Sequence, residues 1–280
     1  MKADCHIHMV LDGENWKQAI ARHSDSVNKD WVRRQLERYR ELGYTYLRDG
    51  GDRWGVGECA REQAEEYGIT YRTPLAPLCK AGCYGSFIGA EWESLGQYAR
   101  QVVHHRERGA DFIKIMISGL MDFDRFGVLT QPGLRSEEIG ELIHIAHEEG
   151  MAVMAHANGA RTAEAAAKAG VDSVEHGAYL DEDALCAMKE AGTVWVPTLS
   201  TVGNLRGKGR FSEKDVQKIY ESALENVATF VSMGGLLAPG TDAGAWAVPH
   251  GSITEEGYLA SAGADTMYLE QGVQKIMEKF

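Results

Sequence analysis

The sequence predicts an α/β protein of the (β/α)8 TIM-barrel class. Eight short apolar runs alternate along the chain with amphipathic stretches. Strands that alternate with helices form parallel sheets, and eight such units close into a barrel of about 250 residues. Four junctions also place a glycine directly after a predicted helix, where helices commonly end. These glycines are Gly68, Gly150, Gly170 and Gly192.

The predicted strands are short and mostly apolar, which is typical of parallel strands covered on both faces. In chain order they are Ala3–Val10, Tyr44–Asp49, Ile69–Leu75, Asp111–Ile117, Met151–His156, Asp172–His176, Thr193–Thr198 and Leu236–Thr241. Apolar residues at helical spacing predict the segments between them. These helices are Trp31–Glu41, Ala60–Tyr67, Ser94–Arg108, Glu137–Glu149, Thr162–Ala169, Asp183–Ala191 and Glu213–Val231. No Pro/Ser-rich linker divides the sequence, so we expect residues 1–280 to form one domain.

Composition and charge limit the classes of partner. The chain carries 29 basic and 41 acidic residues, and its net charge of −12 argues against binding to nucleic acid or anionic membranes. Five cysteines form no disulfide framework, the N-terminus is too polar for a signal peptide, and no apolar run approaches the ~20 residues of a membrane span. We expect a cytoplasmic protein with a small-molecule substrate; homo-oligomerisation stays open.

Six side chains suited to metal binding fall near predicted strand ends. His6 and His8 point to the same face of the first strand, because side chains at i and i+2 share a face. In barrels of this class the carboxyl ends of the strands hold the active site. The other four residues lie in or directly after strands four, five, six and eight, and are Lys114, His156, His176 and Asp242.

The residue types indicate a metal centre. Neutral imidazoles and carboxylates are ordinary ligands of zinc-like ions. A charged Lys114 inside an apolar strand would be costly and would repel a cation, whereas burial lowers a lysine's pKa and makes it nucleophilic. A neutral Lys114 could capture carbon dioxide as a carbamate, whose two oxygens can bridge two metal ions.

These motifs resemble the amidohydrolase superfamily, in its subtype with a carboxylated lysine. Within it, the chain looks most like the imidazolonepropionase-related and Xaa-Pro dipeptidase-like branch, particularly over Met151–Thr201. The likeness covers nearly the whole chain in the right order. Its motifs are Asp4-Cys5-His6-Ile7-His8, Lys114, His156-Ala157-Asn158-Gly159, Val174-Glu175-His176-Gly177 and Gly240-Thr241-Asp242-Ala243-Gly244.

The resemblance implies a binuclear metal centre that hydrolyses a C–N bond. His6, His8 and Asp242 would bind one ion and His156 and His176 the other, with the Lys114 carbamate bridging them. Zinc is the expected metal, with manganese, iron or cobalt as alternatives. Asp242 would act as general base and acid for a metal-bridging hydroxide.

The resemblance also implies one departure. Many relatives carry a small β-sandwich, built from segments before the first strand and after the last. Here the first predicted strand begins at the N-terminus and few residues follow Asp242. We therefore expect a compact barrel without the accessory β-sandwich, or a shortened chain.

Four further residues are candidate substrate contacts, because they lie in or near loops expected at the catalytic face. They are Arg48, Tyr84, Asn158 and His250. For Asn158, support of His156 is a second interpretation. Two other classes of function stay open. The barrel could be a lactonase, esterase, phosphotriester hydrolase or mononuclear deaminase, although Lys114 counts against deamination; or it could bind metal without catalysis.

Overall fold

The computed structural model describes residues 2–280, over which strands and helices alternate. The first third contains β1 (Lys2–Ile7), α1 (Trp16–Ala21), α2 (Lys29–Glu41), β2 (Tyr44–Asp49), α3 (Val56–Ala64), a 3-10 turn (Glu65–Tyr67), β3 (Thr70–Arg72), β4 (Leu78–Lys80) and β5 (Ala90–Trp92). The middle contains α4 (Leu95–Glu107), β6 (Ile113–Met116), α5 (Ser136–Glu148), β7 (Val153–Ala157), α6 (Ala160–Lys168), β8 (Ser173–His176) and α7 (Glu182–Ala191). The remainder contains β9 (Val194–Val196), α8 (Ser200–Gly203), α9 (Glu213–Ser232), β10 (Leu236–Leu237), α10 (Thr254–Ser261) and α11 (Thr266–Lys279).

The strands form two parallel ladders that meet at a divided third barrel strand. One ladder has the order β1-β2-β3, and the other has the order β10-β9-β8-β7-β6-β4-β5. The predicted third strand, Ile69–Leu75, is therefore only partly correct: β3 pairs with β2, and β4 takes over the pairing with β6. Pro74 lacks an amide hydrogen, and Leu75 has a left-handed φ of 66°, so neither continues a ladder.

The barrel closes between β1 and the chain that follows β10. The Cys5 amide donates to Pro239 O (2.8 Å), and the Asp242 amide donates to His6 O (2.8 Å). The buried Asp4 carboxylate reinforces this seam by accepting hydrogen bonds from the Thr241 amide (2.9 Å) and hydroxyl (2.7 Å). The predicted (β/α)8 architecture is thus confirmed, although the ladder of the last strand is shorter than Leu236–Thr241.

Alternation along β6 shows how the barrel separates its inside from its outside. Ile113 and Ile115 pack into the apolar layer between the sheet and its helices. Phe112 instead joins the apolar cluster at the centre of the barrel. Lys114 is equally buried. It lies two residues after Phe112, so its side chain points to the same, inner side of the sheet. The strand therefore delivers an amine into the barrel interior.

The seven predicted helices match α2, α3, α4, α5, α6, α7 and α9 within a few residues. Side-chain caps begin several of them; Asn28 accepts from the Trp31 amide at α2, and Asp181 from the Ala184 amide at α7. Four helices were not predicted, namely α1, α8, α10 and α11. Within residues 2–280, no helix has the length and apolarity needed to cross a membrane.

The hydrogen bonds at the seam predict a stability effect. Thr241→Val removes the hydroxyl that donates to Oδ2 of Asp4 and accepts from the Ala243 amide (3.0 Å), so this oxygen and this amide lose those hydrogen bonds while buried. We expect the free energy of unfolding to fall by about 1–3 kcal/mol in urea titrations. The control is Thr45→Val on the exposed position of β2, for which less than about 0.5 kcal/mol is expected. Equal effects of the two variants would refute a special role for the seam.

Candidate metal centre

Three predicted ligands converge where the barrel closes. Nε2 of His6 lies 3.4 Å from Nε2 of His8, and these atoms lie 3.6 Å and 3.5 Å from Oδ1 of Asp242. All three residues are buried, and one ligand atom from each lies within 4.8 Å of the others. Two imidazoles and a carboxylate at this separation form a donor set that suits a zinc-like cation.

The backbone around these residues leaves room for their rings. A Cβ on Gly50 would lie 2.2 Å from Cε1 of His8, and a Cβ on Gly240 would lie 2.8 Å from Cβ of His6. Asp242 itself has a left-handed φ of 57°, a conformation that aspartate tolerates better than most residues. The absence of a side chain at Gly50 therefore leaves room for the His8 ring. The absence of a side chain at Gly240 permits the close approach of the first and last strands.

His156 and His176 form the other side of the cluster. Their ring centroids are 4.6 Å apart, and the His176 ring lies 5.0 Å from that of His6. Nδ1 of His176 lies 3.9 Å from Oδ2 of Asp242. Oδ1 of Asp242 therefore faces His6 and His8, whereas Oδ2 faces His176.

Lys114 is a buried lysine whose amine is not satisfied by hydrogen bonds. Its side chain is fully enclosed, and its Nζ finds no hydrogen-bond partner among the residues that the structure describes. Burial lowers the pKa of Lys114, in the direction expected from the sequence. An orphaned buried amine beside imidazoles and a carboxylate fits a lysine that carries a carbamate and contacts metal ions.

The electrostatics of the cluster favour neutral imidazoles. Burial, and then the charge of Lys114, lowers the pKa of His8 to about 3. The same two causes lower the pKa of His156 to about 3. Burial also lowers the pKa of His6 and of His176, and raises that of Asp242. Unprotonated imidazoles are the form that binds a metal ion.

Arg48, predicted as a candidate substrate contact, has its side chain enclosed in the barrel interior, and protein groups occupy its hydrogen-bond donors. It is fully buried inside the barrel, where its Nε donates to Cys5 O (2.7 Å) and its Nη1 to the Ser173 hydroxyl (2.9 Å). Its Nη2 donates to Oε1 of Glu175 (2.8 Å). The other oxygen of Glu175 lies 2.6 Å from Nδ1 of His6.

Glu175 is the residue that the sequence analysis missed. It belongs to the motif Val174-Glu175-His176-Gly177, in which His176 is the predicted ligand. The available signal was a carboxylate within the short apolar strand β8, two residues after Ser173 and therefore on the same face. The left-handed φ of His176 (66°) then breaks the alternation, so that consecutive residues both contribute to the site.

The remaining predicted contacts have different positions. His250 is buried, with Nδ1 3.1 Å from the Tyr39 hydroxyl and Nε2 2.9 Å from Leu11 O, so it does not reach the rim of the site. Asn158 is also buried and donates to Gly119 O (3.0 Å), the carbonyl that lies 3.2 Å from Nε2 of His156.

Asn158 is therefore placed to support His156, as in the second interpretation of the sequence, rather than to contact substrate. Its Oδ1 accepts from the Ala178 amide (3.0 Å), which occupies the other end of its side chain. Tyr84 is half-buried, and its ring centroid lies 4.8 Å from that of His156. Tyr84 thus stays a candidate for substrate contact.

Burial of neutral histidines predicts a pH dependence of stability in metal-free protein. Between the unfolded pKa near 6.5 and the folded pKa near 3, only the unfolded state binds a proton at His8, so stability falls as pH decreases. We expect His8→Asn to make the decline between pH 6.5 and 4.5 shallower by up to about 1.4 kcal/mol per pH unit. The measurement is urea unfolding in chelator, with His144→Asn on the exposed face of α5 as control. An unchanged slope in His8→Asn would contradict the buried neutral state.

Comparison with curated proteins finds distant relatives. An uncharacterized protein of Mycobacterium bovis is 26% identical over 266 residues, which cover 90% of this chain and 65% of that protein. The ochratoxinase of Aspergillus niger is 26% identical over 274 residues, with 85% of this chain and 56% of the enzyme covered. The chain therefore spans between about half and two thirds of the length of these relatives.

Solved structures support the same architecture. A Xaa-Pro dipeptidase with bound methionine superposes with a TM-score of 0.78 at 22% identity, over 99% of this chain and 75% of that one. The A. niger ochratoxinase superposes with a TM-score of 0.76 at 23% identity, over 98% of this chain and 68% of the other. At these identities the likeness concerns the fold. The sequence model of the amidohydrolase family matches residues 4–266, and the chain accordingly belongs to the amidohydrolase family.

Proposed function

We propose that this protein is a metal-dependent hydrolase that cleaves a C–N bond in an amide, a cyclic amide or a dipeptide-like substrate. The observation that carries the proposal is the convergence of His6, His8 and Asp242 beside the orphaned amine of Lys114. Membership of the amidohydrolase family and the names of two relatives, an ochratoxinase and a Xaa-Pro dipeptidase, support amide-type substrates.

The proposed donor set divides into two groups, which Lys114 would connect. His6, His8 and Asp242 would hold one zinc-class ion, and His156 with His176 would hold a second, with a Lys114 carbamate between them. Manganese, iron or cobalt would fit the same nitrogen and oxygen ligands. When bound, such ions supply an activated water near neutral pH and polarise a substrate carbonyl.

Asp242 is the residue we assign to proton transfer. Burial raises the pKa of Asp242, which brings it closer to the range in which a carboxyl group exchanges protons at neutral pH. Its Oδ1 lies 3.5–3.6 Å from His6 and His8, and its Oδ2 lies 3.9 Å from His176. Asp242 would accept the proton of the attacking water and pass it to the leaving nitrogen.

The residues around the histidine cluster include one candidate substrate contact. The ring centroid of the half-buried Tyr84 lies 4.8 Å from that of His156, so Tyr84 would lie beside a small-molecule substrate bound at the proposed site. The cavity lined by His176, Met121, Tyr179 and Val202 has a volume of about 20 Å³, which is room for a water molecule and not for a substrate segment.

Two alternatives keep the barrel but change its chemistry. An activated water would also attack esters, lactones and phosphotriesters, and the site geometry does not discriminate among these carbonyl and phosphoryl groups. A mononuclear deaminase would use the His6, His8 and Asp242 group alone, but it would leave the buried Lys114 amine without a role. A barrel that binds metal without turnover is the third candidate.

Metal analysis tests the binuclear site. We expect about two ions per chain in protein loaded with zinc and bicarbonate, and a marked loss in Lys114→Ala, because the bridging group is removed. The control is Lys168→Ala, an exposed lysine paired with Glu164 on α6, which should retain the wild-type content. One ion per chain, unchanged by Lys114→Ala, would contradict the bridged site and favour mononuclear chemistry.

A substrate panel tests the reaction class and the role of Asp242. We expect hydrolysis of amides or dipeptides that chelator abolishes and zinc restores, and a loss of about 10²–10⁴-fold in kcat for Asp242→Asn. The measurement is ninhydrin or chromatographic detection of the released amine, with metal content determined on the same samples. Turnover of esters or phosphotriesters alone would select the first alternative, and full metal content without any turnover would select the non-catalytic barrel.

A further inference from the structure

Two opposite charges lie completely enclosed in the barrel beneath the metal-binding residues. Arg48 and Glu175 both have side chains with 0% exposure, and their Nη2–Oε1 distance is 2.8 Å. A buried ion pair of this kind contributes little net stability compared with apolar packing of the same volume. The arrangement therefore calls for an explanation in terms of what the pair contacts.

Every strong hydrogen-bonding group of this pair has a defined partner. Arg48 donates to Cys5 O on β1 and to the Ser173 hydroxyl on β8, so its guanidinium joins the first and sixth barrel strands. Ser173 in turn donates to Oε1 of Glu175 (2.6 Å). Oε1 thus receives two hydrogen bonds, and Oε2 is left to face Nδ1 of His6 alone (2.6 Å).

This geometry determines which nitrogen of His6 carries hydrogen. A carboxylate oxygen can only accept, so the short contact requires hydrogen on Nδ1 of His6. In a neutral imidazole the other nitrogen, Nε2, then has the free lone pair. Nε2 is the atom that lies 3.4 Å from Nε2 of His8 and 3.6 Å from Oδ1 of Asp242.

We propose that Arg48 and Glu175 are positioning residues that hold His6 as its Nδ1–H tautomer and so present the Nε2 lone pair to a metal ion. Glu175 sets the tautomer, and Arg48 with Ser173 fixes the orientation of the Glu175 carboxylate. The tautomer is a property of the metal-free protein. Its effect on metal affinity rests on the proposed metal centre, so the two parts can fail separately.

Glu175→Gln tests the tautomer of His6, because a side-chain amide has one oxygen that accepts and one NH2 group that donates. The Arg48 guanidinium and the Ser173 hydroxyl both donate, so they select the amide oxygen of the new side chain. Its NH2 group then faces Nδ1 of His6 as a donor. The hydrogen of His6 must move to Nε2, the atom directed at the proposed metal site, while the size and shape of residue 175 stay nearly unchanged.

The decisive experiment is nitrogen-15 NMR of the histidine side chains in the metal-free protein of residues 1–280. His6 signals are assigned by their loss in His6→Asn. We expect the Nδ1–H tautomer in the wild type and in the matched control Glu148→Gln, the same change at an exposed position of α5, and the Nε2–H tautomer in Glu175→Gln. In zinc titrations, the affinity of Glu175→Gln should be about 10–100-fold weaker than wild type, whereas Glu148→Gln should stay within about threefold.

The wild-type spectrum decides the tautomer even where a variant folds poorly, and circular dichroism reports folding of each variant. An Nε2–H signal for wild-type His6 would overturn the proposal, as would an unchanged Nδ1–H signal in folded Glu175→Gln. A correct tautomer pattern with equal zinc affinities would overturn the link to metal binding. A correct pattern without any amide hydrolysis would count against the proposed function and leave the positioning role supported.

Discussion

The structure depends on the hydrogen bonds that join the first strand to the chain after the last. Asp4 receives both hydrogen bonds of Thr241, while main-chain hydrogen bonds link Cys5 to Pro239 and His6 to Asp242. Without this seam the barrel would be an open sheet, and residues separated by more than two hundred positions would not meet. The seam is also where His6, His8 and Asp242 converge, so closure of the fold and assembly of the candidate metal centre are one event.

A second constraint is the uneven distribution of charge inside the barrel. Arg48 and Glu175 are each neutralised by the other, whereas Lys114 has no partner among the described residues. Burial therefore acts differently on them. The charges of the pair compensate each other, whereas burial of the lone amine favours its neutral form. The same dry environment keeps the four imidazoles unprotonated. Uncharged imidazoles thus lie together in a protein interior that ordinarily rejects charge, in the form that the proposed metal centre requires.

Much of the fold could be predicted, because apolar runs and helical periodicity report burial directly. The third barrel strand could not be placed correctly by apolar content alone. Pro74 and Pro77 interrupt it, and pairing is resumed by Leu78–Lys80, which lies outside every predicted strand. Proline in a central strand is the sequence signal for this interruption. The helices α10 and α11 follow the last barrel strand, beyond the alternation of strands and helices on which the prediction rested.

For the candidate site, the alternation of side chains along a strand and the strand-end rule selected His6, His8 and Asp242, which the structure brings together, and also His156 and His176, whose rings lie beside them. They were insufficient for Arg48 and His250, because these rules place a backbone position and not the end of a side chain. The Arg48 guanidinium finds its partners on β1 and β8, and His250 turns toward Tyr39 on α2. These partners lie far away in the sequence, so local sequence patterns do not reveal them.

The closure of the first strand against the last has a consequence for biosynthesis. A ribosome delivers His6 and His8 more than two hundred residues before Asp242. Contacts of such high sequence separation form late and slowly, since the intervening chain must be ordered first. A nascent chain therefore exposes one part of the candidate site while the residues between His8 and Asp242 are synthesised, and the site can become enclosed only after Asp242 has emerged.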